Sequence, residues 1–176
     1  MLASNDKNLL SETKQLLSDH FDMKDLGEAS FVLGIQIHRD RSRGILSLSQ
    51  ATYIDRVLKR FNMHSCTPCT APVHKGERLF KSQCPQNDVE RIEMSSILYA
   101  SAVDSLIYAQ VCIRLDIAFA ISVLGRYLSD PGKDHWRAAK KVMRYLQGTK
   151  HHTLTFRKSD PFEIEVHGFR LCILCG

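Results

Sequence analysis

The chain has 176 residues, 44% apolar and 24% charged, enough to bury a core in one domain or two small ones. A formal charge of +5 leans mildly towards anionic partners such as nucleic acid. No apolar run approaches the ~20 residues of a membrane span, and the first residues lack the basic-then-apolar pattern of a leader. The location expected is therefore cytoplasmic or nuclear, with no membrane partner.

Asn5 or Asp6 can cap a first helix from Lys7, with Leu9, Thr13, Leu16, Leu17 and His20 along one side. Phe21 to Gly27 reads as a polar turn. Ala29 to Arg39 reads as one strand, in which Phe31, Leu33, Ile35 and Ile37 alternate with Val32, Gly34, Gln36 and His38. Asp40-Arg41-Ser42-Arg43-Gly44 makes a hairpin loop, and Ile45 to Leu48 returns. Ser49 caps a second helix that buries Tyr53, Ile54, Val57, Leu58 and Phe61.

Asn62 to Glu93 loses periodicity and is punctuated by Pro68, Pro72, Gly76 and Pro85, so it reads as a long connecting segment. Ile97 to Ile113 is apolar and helical in pattern. Arg114 to Ser129 gives another helix, with Ile117, Ile121, Leu124 and Leu128 on a stripe, stopped by Asp130-Pro131-Gly132. Asp134 caps a further helix that runs through Gln147 to a stop at Gly148. Leu154 to Lys158 and Phe162 to His167 read as paired strands.

Six cysteines include two CxxC pairs, Cys66/Cys69 and Cys172/Cys175. Two such pairs can build a tetrahedral thiolate zinc site, but their separation is about five times the usual ribbon spacing. Reduced thiols are the plainer reading. The eight histidines show no paired-ligand spacing, and no Gly-rich phosphate loop or GxSxG turn occurs. Neither a metal nor a small-molecule substrate is expected.

A set of motifs carries more information. Phe21-Asp22-Met23-Lys24-Asp25-Leu26-Gly27-Glu28 is followed by Leu33-Gly34-Ile35, Leu48-Ser49-Gln50, Tyr53-Ile54 and Tyr99-Ala100-Ser101-Ala102-Val103. Then come Cys112 to Ile117, Pro131-Gly132-Lys133-Asp134-His135-Trp136 and Arg144-Tyr145-Leu146-Gln147-Gly148-Thr149. In this order and spacing the chain, from Met1 to about Gly168, resembles the reverse transcriptase of copia-type retrotransposons.

The resemblance implies an α+β fold. A partial polymerase palm (helix–hairpin–helix, residues 1–75) precedes a three-helix thumb and connection (76–150). A short terminal β-hairpin (151–176) is then the truncated start of RNase H. In that family a Tyr-x-Asp-Asp turn carries catalytic aspartates just before a Leu-Ala-Ser-like strand end, and intact members use Mg to clamp the attacking and leaving oxygens. This chain opens Met1-Leu2-Ala3-Ser4 and contains no Asp-Asp dipeptide. Asp22, Asp25, Asp40 and Asp55 match none of the family's metal positions. No catalytic residue is carried over, and the chain is expected to be an inactive fragment without a cofactor.

At the C-terminus the family continues into Tyr-Ser-Asp-Ser, whose Asp is an RNase H metal ligand. Here Phe169-Arg170-Leu171 stands instead. Read as TTC-AGA-CTC before a T, those codons give Ser-Asp-Ser in the neighbouring frame, which implies a frameshifted tail. Asp104, Ile113, Leu98 and Leu115 stand where the family pattern has Gly, Thr, Pro and Pro, each one transition away. Asp104 is the awkward one if buried, because an unpaired buried carboxylate costs several kcal/mol. It is harmless if it faces solvent.

Arg137, Lys140, Lys141 and Arg144 share one helix face, opposite Trp136, Ala139, Val142, Met143 and Leu146. Such a stripe is either a solvated face or a sequence-blind grip on the phosphates of an RNA/DNA duplex. Arg39, Arg41 and Arg43 form a smaller cluster. The alternative to a dead fragment is therefore a residual nucleic-acid-binding module. A third reading is a part that works beside a separately encoded fingers-and-palm piece.

Overall fold

The computed structural model describes residues 2, 4–74, 76–158 and 164–167. The second CxxC pair and the tail in which a frameshift is expected lie outside them. In chain order the elements are α1 (Lys7–His20), β1 (Phe31–Val32), β2 (Ile35–Asp40), β3 (Ile45–Ser49), α2 (Ala51–Arg60), α3 (Asp88–Ser95), α4 (Tyr99–Cys112), α5 (Ala118–Gly125), α6 (Lys133–Thr149), β4 (Thr153–Lys158) and β5 (Ile164–His167). The fold is α+β, as the sequence implied. No helix among the described residues is long and apolar enough to cross a membrane.

Asp6 caps α1, its carboxylate accepting from the Asn8 and Leu9 N–H groups at 2.8 and 3.3 Å. The strand expected over Ala29 to Arg39 is two strands. Leu33 and Gly34 both take left-handed backbone, φ 52° and 79°, as a two-residue hairpin turn requires, and Val32 faces Ile35 across it. Gly34 adopts that conformation freely. Leu33 does so at a cost on the order of 1 kcal/mol, and the Tyr108 phenol donates to its carbonyl oxygen and holds it there.

The sheet runs β1-β2-β3-β4-β5, antiparallel throughout. The terminal strands pair with each other as expected, but β4 also pairs with β3 along its length, Leu48 opposite Leu154 and Leu46 opposite Phe156. Opposed residues share a face. Ile37, Leu48 and Leu154 make one apolar row, and Leu46 and Phe156 the next. These side chains are only half-buried, and among the described side chains the sheet contributes none of the core cluster.

That core is helical. Ile54 and Leu58 of α2, Tyr99, Val103 and Leu106 of α4, Ile121 and Leu124 of α5, and Ala139, Val142, Met143 and Leu146 of α6 form it. The segment read as a bare connection contains a 3-10 turn at Lys81–Gln83 and then α3, whose Asn87 side chain accepts from the Glu90 N–H at 2.9 Å. The helix expected over Arg114 to Ser129 is a 3-10 turn, Leu115–Ile117, followed by the short α5, because Arg114 turns inward and is fully buried.

α6 begins two residues earlier than expected. Gly132, not Asp134, is its cap, with its N–H donating to His135 Nδ1 at 2.8 Å. Asp104 is exposed, so the feared buried carboxylate does not arise. Leu98 and Leu115 are also exposed, at helix starts where proline is tolerated, and the buried Ile113 is apolar. None of the four departures from the family pattern strains the core.

His135 links the fold to pH. It is fully buried, stacked on Tyr127 with ring centroids 3.9 Å apart. Burial holds its imidazole below the ordinary value, and Asp134, the Phe80 carbonyl and Asp130 oppose this less strongly. The folded state therefore binds a proton less readily than the unfolded chain. Stability is complete above about pH 6.5 and falls as pH drops from there towards the lowered folded value. Urea midpoints should decline on acidification through this window. In His135→Asn, which can still accept from Gly132 but does not titrate, that part of the slope should vanish; an unchanged slope would remove His135 from the account.

Candidate nucleic-acid interface

The α6 stripe is where the sequence placed it, but its four cations are not equivalent. Arg137 is exposed and donates to Asp134 one turn back at 2.7 Å. Lys140 Nζ lies 5.8 Å from the centre of the Trp136 ring. Lys141 is largely covered and pairs with Glu77. Arg144 Nε donates to the Thr67 carbonyl at 2.7 Å. Thr67 and Glu77 thus lie against the stripe, and two of its cations serve to hold the chain there.

The same strap is tied at further points. The Cys69 N–H donates to the Arg144 carbonyl at 3.4 Å, the Cys69 thiol to the Lys141 carbonyl at 3.4 Å, and Gln147 Nε2 to the His64 carbonyl at 2.8 Å. Burial pushes the Cys66 thiol up, which leaves it less reactive than a free cysteine. Although burial raises the Glu77 carboxyl, hydrogen bonds from Lys141 and the His74 N–H more than offset this and hold it below its usual range.

The carboxylates near the hairpin are dispersed and individually engaged. Asp25 pairs with Lys14 at 2.8 Å and accepts the Gly27 N–H at 2.9 Å; the Lys14 hydrogen bond holds it below the usual carboxylate range. Asp40 accepts from the Ser42 hydroxyl at 2.6 Å and the Arg43 N–H at 3.1 Å and is likewise lowered, chiefly by Ser42. Asp55 pairs with Lys59 at 2.9 Å and Lys150 at 3.5 Å, and the Lys59 hydrogen bond lowers it most. Among the described residues, no three His, Cys, Asp or Glu side chains come together as a metal site would need.

Residues 1–75 match the family described as reverse transcriptase (RNA-dependent DNA polymerase). Over 161 residues, 92% of the chain, the sequence is 47% identical to the retrovirus-related Pol polyprotein from transposon TNT 1-94 of Nicotiana tabacum, covering 12% of that protein. The chain belongs with the copia-type retrotransposon Pol polyproteins. The Pol polyprotein from transposon RE1 of Arabidopsis thaliana is 31% identical over 168 residues, 95% of this chain and 11% of that protein. An uncharacterized mitochondrial protein of Arabidopsis thaliana is 28% identical over 165 residues, 94% of this chain and 65% of that protein. This Pol segment therefore spans about a tenth of the polyproteins it matches. No solved structure matches it significantly.

What the sequence did not reveal in the Pol segment is how α6 is anchored. Arg114 Nε and Nη2 grip Asp116 at 3.0 and 2.8 Å, while Nη1 and Nη2 reach the Thr149 carbonyl and hydroxyl at 3.1 and 2.6 Å. The Tyr145 phenol donates to Asp116 at 2.8 Å and is pushed up to about 12, by burial first and that bond second. The Thr149 carbonyl lies in the last turn of α6, where carbonyls lack partners within the helix. A guanidinium there also complements the negative end of the helix dipole. A buried arginine between Ile113 and a leucine looks like surface in sequence, and only its partner 35 residues away explains it.

Proposed function

We propose that this reverse transcriptase segment is a scaffold without nucleotidyl-transfer chemistry of its own, which keeps a sequence-blind hold on a nucleic-acid duplex. Its helix–hairpin–helix part corresponds in this reading to the end of a palm, and its later helices to thumb and connection. The observation that carries the lack of chemistry is the distribution of acids. Two-cation catalysis needs carboxylates converging on one point, whereas Asp25, Asp40 and Asp55 each serve a separate local partner. Mg, which intact members would use, has no proposed ligand here. Neither a membrane nor a small-molecule substrate enters the reading.

The hold on a duplex is supported by the α6 face, with Arg137 and Lys140 free, among the described residues, of ties beyond their own helix and Lys141 and Arg144 beside them. Duplex affinity should fall steeply with salt. Neutralising all four to Gln should reduce the slope of log affinity against log salt by up to about four. Because Lys141 and Arg144 also hold Glu77 and Thr67, the Arg137→Gln/Lys140→Gln pair is the cleaner test, with an expected reduction of about two. Unchanged binding in both variants would rule out the α6 face as the interface.

A further inference from the structure

We propose that a second phosphate site lies in the cleft between α2, α4 and the β1–β2 turn, and that Asp104 sets its affinity; this rests on the reading of the chain as a holder of nucleic acid. The cleft is open, of about 440 Å³, with Arg56 and Arg60 on one wall and Asp104 on the other. The two arginines are one turn apart on α2 and so share a side. Both are exposed. Among the described residues the ion pairs of α2 run from Asp55 to Lys59 and Lys150 and leave both arginines out.

The other polar groups of the cleft are committed, apart from the Ser101 hydroxyl. Tyr53 Oη donates to the Ser105 carbonyl at 3.0 Å, Ser105 Oγ to the Ser101 carbonyl at 2.8 Å, and the Tyr108 phenol to the Leu33 carbonyl. The paired rings of Tyr53 and Tyr108, 4.9 Å between centroids, stiffen the floor. Arg56 sits 5.9 Å from the Tyr53 ring centre and Arg60 5.4 Å from that of Phe61, which orients the guanidinium groups without using their donors. Two planar forks facing solvent suit a phosphate, which accepts from a guanidinium through two oxygens at once.

Asp104 opposes that ligand. It is an exposed carboxylate in the same cleft, at the position where the resemblance places Gly. Unit charges ~7 Å apart in a water-like dielectric change an affinity about threefold. Asp104 therefore acts as a brake on the site and not as a contact within it.

The test is a double-mutant cycle on the full chain, read by anisotropy of a labelled RNA–DNA duplex and separately by calorimetry with inorganic pyrophosphate. Urea midpoints confirm that each variant folds. Asp104→Asn should tighten binding about threefold in at least one arm. Arg56→Gln/Arg60→Gln should weaken it and lower the duplex salt slope by about two. With both arginines neutralised, Asp104→Asn should give less than half its original gain. A gain with the duplex alone identifies a backbone phosphate as the ligand, and a gain with both probes a phosphate of either origin. No gain in either arm, or the same gain with and without the arginines, overturns the proposal. If the cleft variants are silent while the α6 variants weaken binding, this inference fails and the wider reading stands. If both sets are silent, the wider reading fails too.

Discussion

Replacing Asp116 with Ala should lower the unfolding free energy by about 3–5 kcal/mol, the largest single effect expected in the chain. Arg114 has a side chain only 1% exposed, and Asp116 is 6% exposed. Removing the carboxylate strands a guanidinium charge in the interior and frees the Tyr145 phenol at the same time. Against a total of about 5–15 kcal/mol for an ordinary domain, such a loss can unfold much of the population at 37 °C. Arg114→Met should cost a similar amount, since it leaves Asp116 charged and the Thr149 carbonyl without a donor. The pair Arg114→Met/Asp116→Leu should be more stable than either single variant, because neither charge then stays behind unpaired. Urea unfolding of the three variants decides the matter. Single-variant losses below about 1 kcal/mol would show the pair to be solvated and not part of the core.

Gly132→Ala should be the second costly change, at about 1–3 kcal/mol or more. A Cβ there would stand 1.8 Å from the Gln83 carbonyl oxygen and 3.0 Å from its carbon, both backbone atoms that cannot swing aside. Gly132 has ordinary extended backbone, φ −100° and ψ 177°, so the penalty is purely steric. The clash should push residues 79–84 off the start of α6, where the Tyr127 phenol holds the Leu79 carbonyl at 2.9 Å and Gly132 donates to His135. Trypsin cleavage after Lys81 should accelerate together with the loss of stability. Gly125→Ala is the control. Nothing lies within 4 Å of its added carbon, and the substitution should stabilise α5 by roughly 0.5–1 kcal/mol. If both glycine variants behave alike, the close approach at Gly132 is not what fixes this corner.

The parts of the fold that the sequence made legible are those with local causes. The stripes of α2 and α6, the Asp40-to-Gly44 loop and the Asp6 cap each follow from periodicity or from one side chain reaching two or three residues along. The break at Leu33-Gly34 was hidden because apolar alternation continues through it, and a leucine gives no sign of left-handed backbone. The short helix α3 was lost among prolines and polar residues, although Asn87 three positions before Glu90 is a capping signal.

The site divides in the same way. The four cations of α6 are visible as a face, but their ranking is not. What distinguishes Lys141 and Arg144 from Arg137 and Lys140 is contact with Glu77 and Thr67, 64 and 77 residues distant. Nor does any spacing rule bring Arg56 of α2 to the same cleft as Asp104 of α4. The open apolar rows of the sheet, Ile37-Leu48-Leu154 and Leu46-Phe156, likewise depend on β4 joining β3 across more than a hundred residues.

The decisive measurement is template-directed nucleotide addition by the purified chain. An RNA template with a recessed, labelled DNA primer is incubated with the four deoxynucleotides and either Mg²⁺ or Mn²⁺, at a salt concentration low enough for the duplex to be bound. Binding without extension beyond the no-protein control is the outcome expected of a scaffold whose acids are scattered among separate ion pairs. Primer elongation that follows the template sequence and is abolished by EDTA would mean that a cation centre does assemble in this chain, and would contradict the account at its foundation.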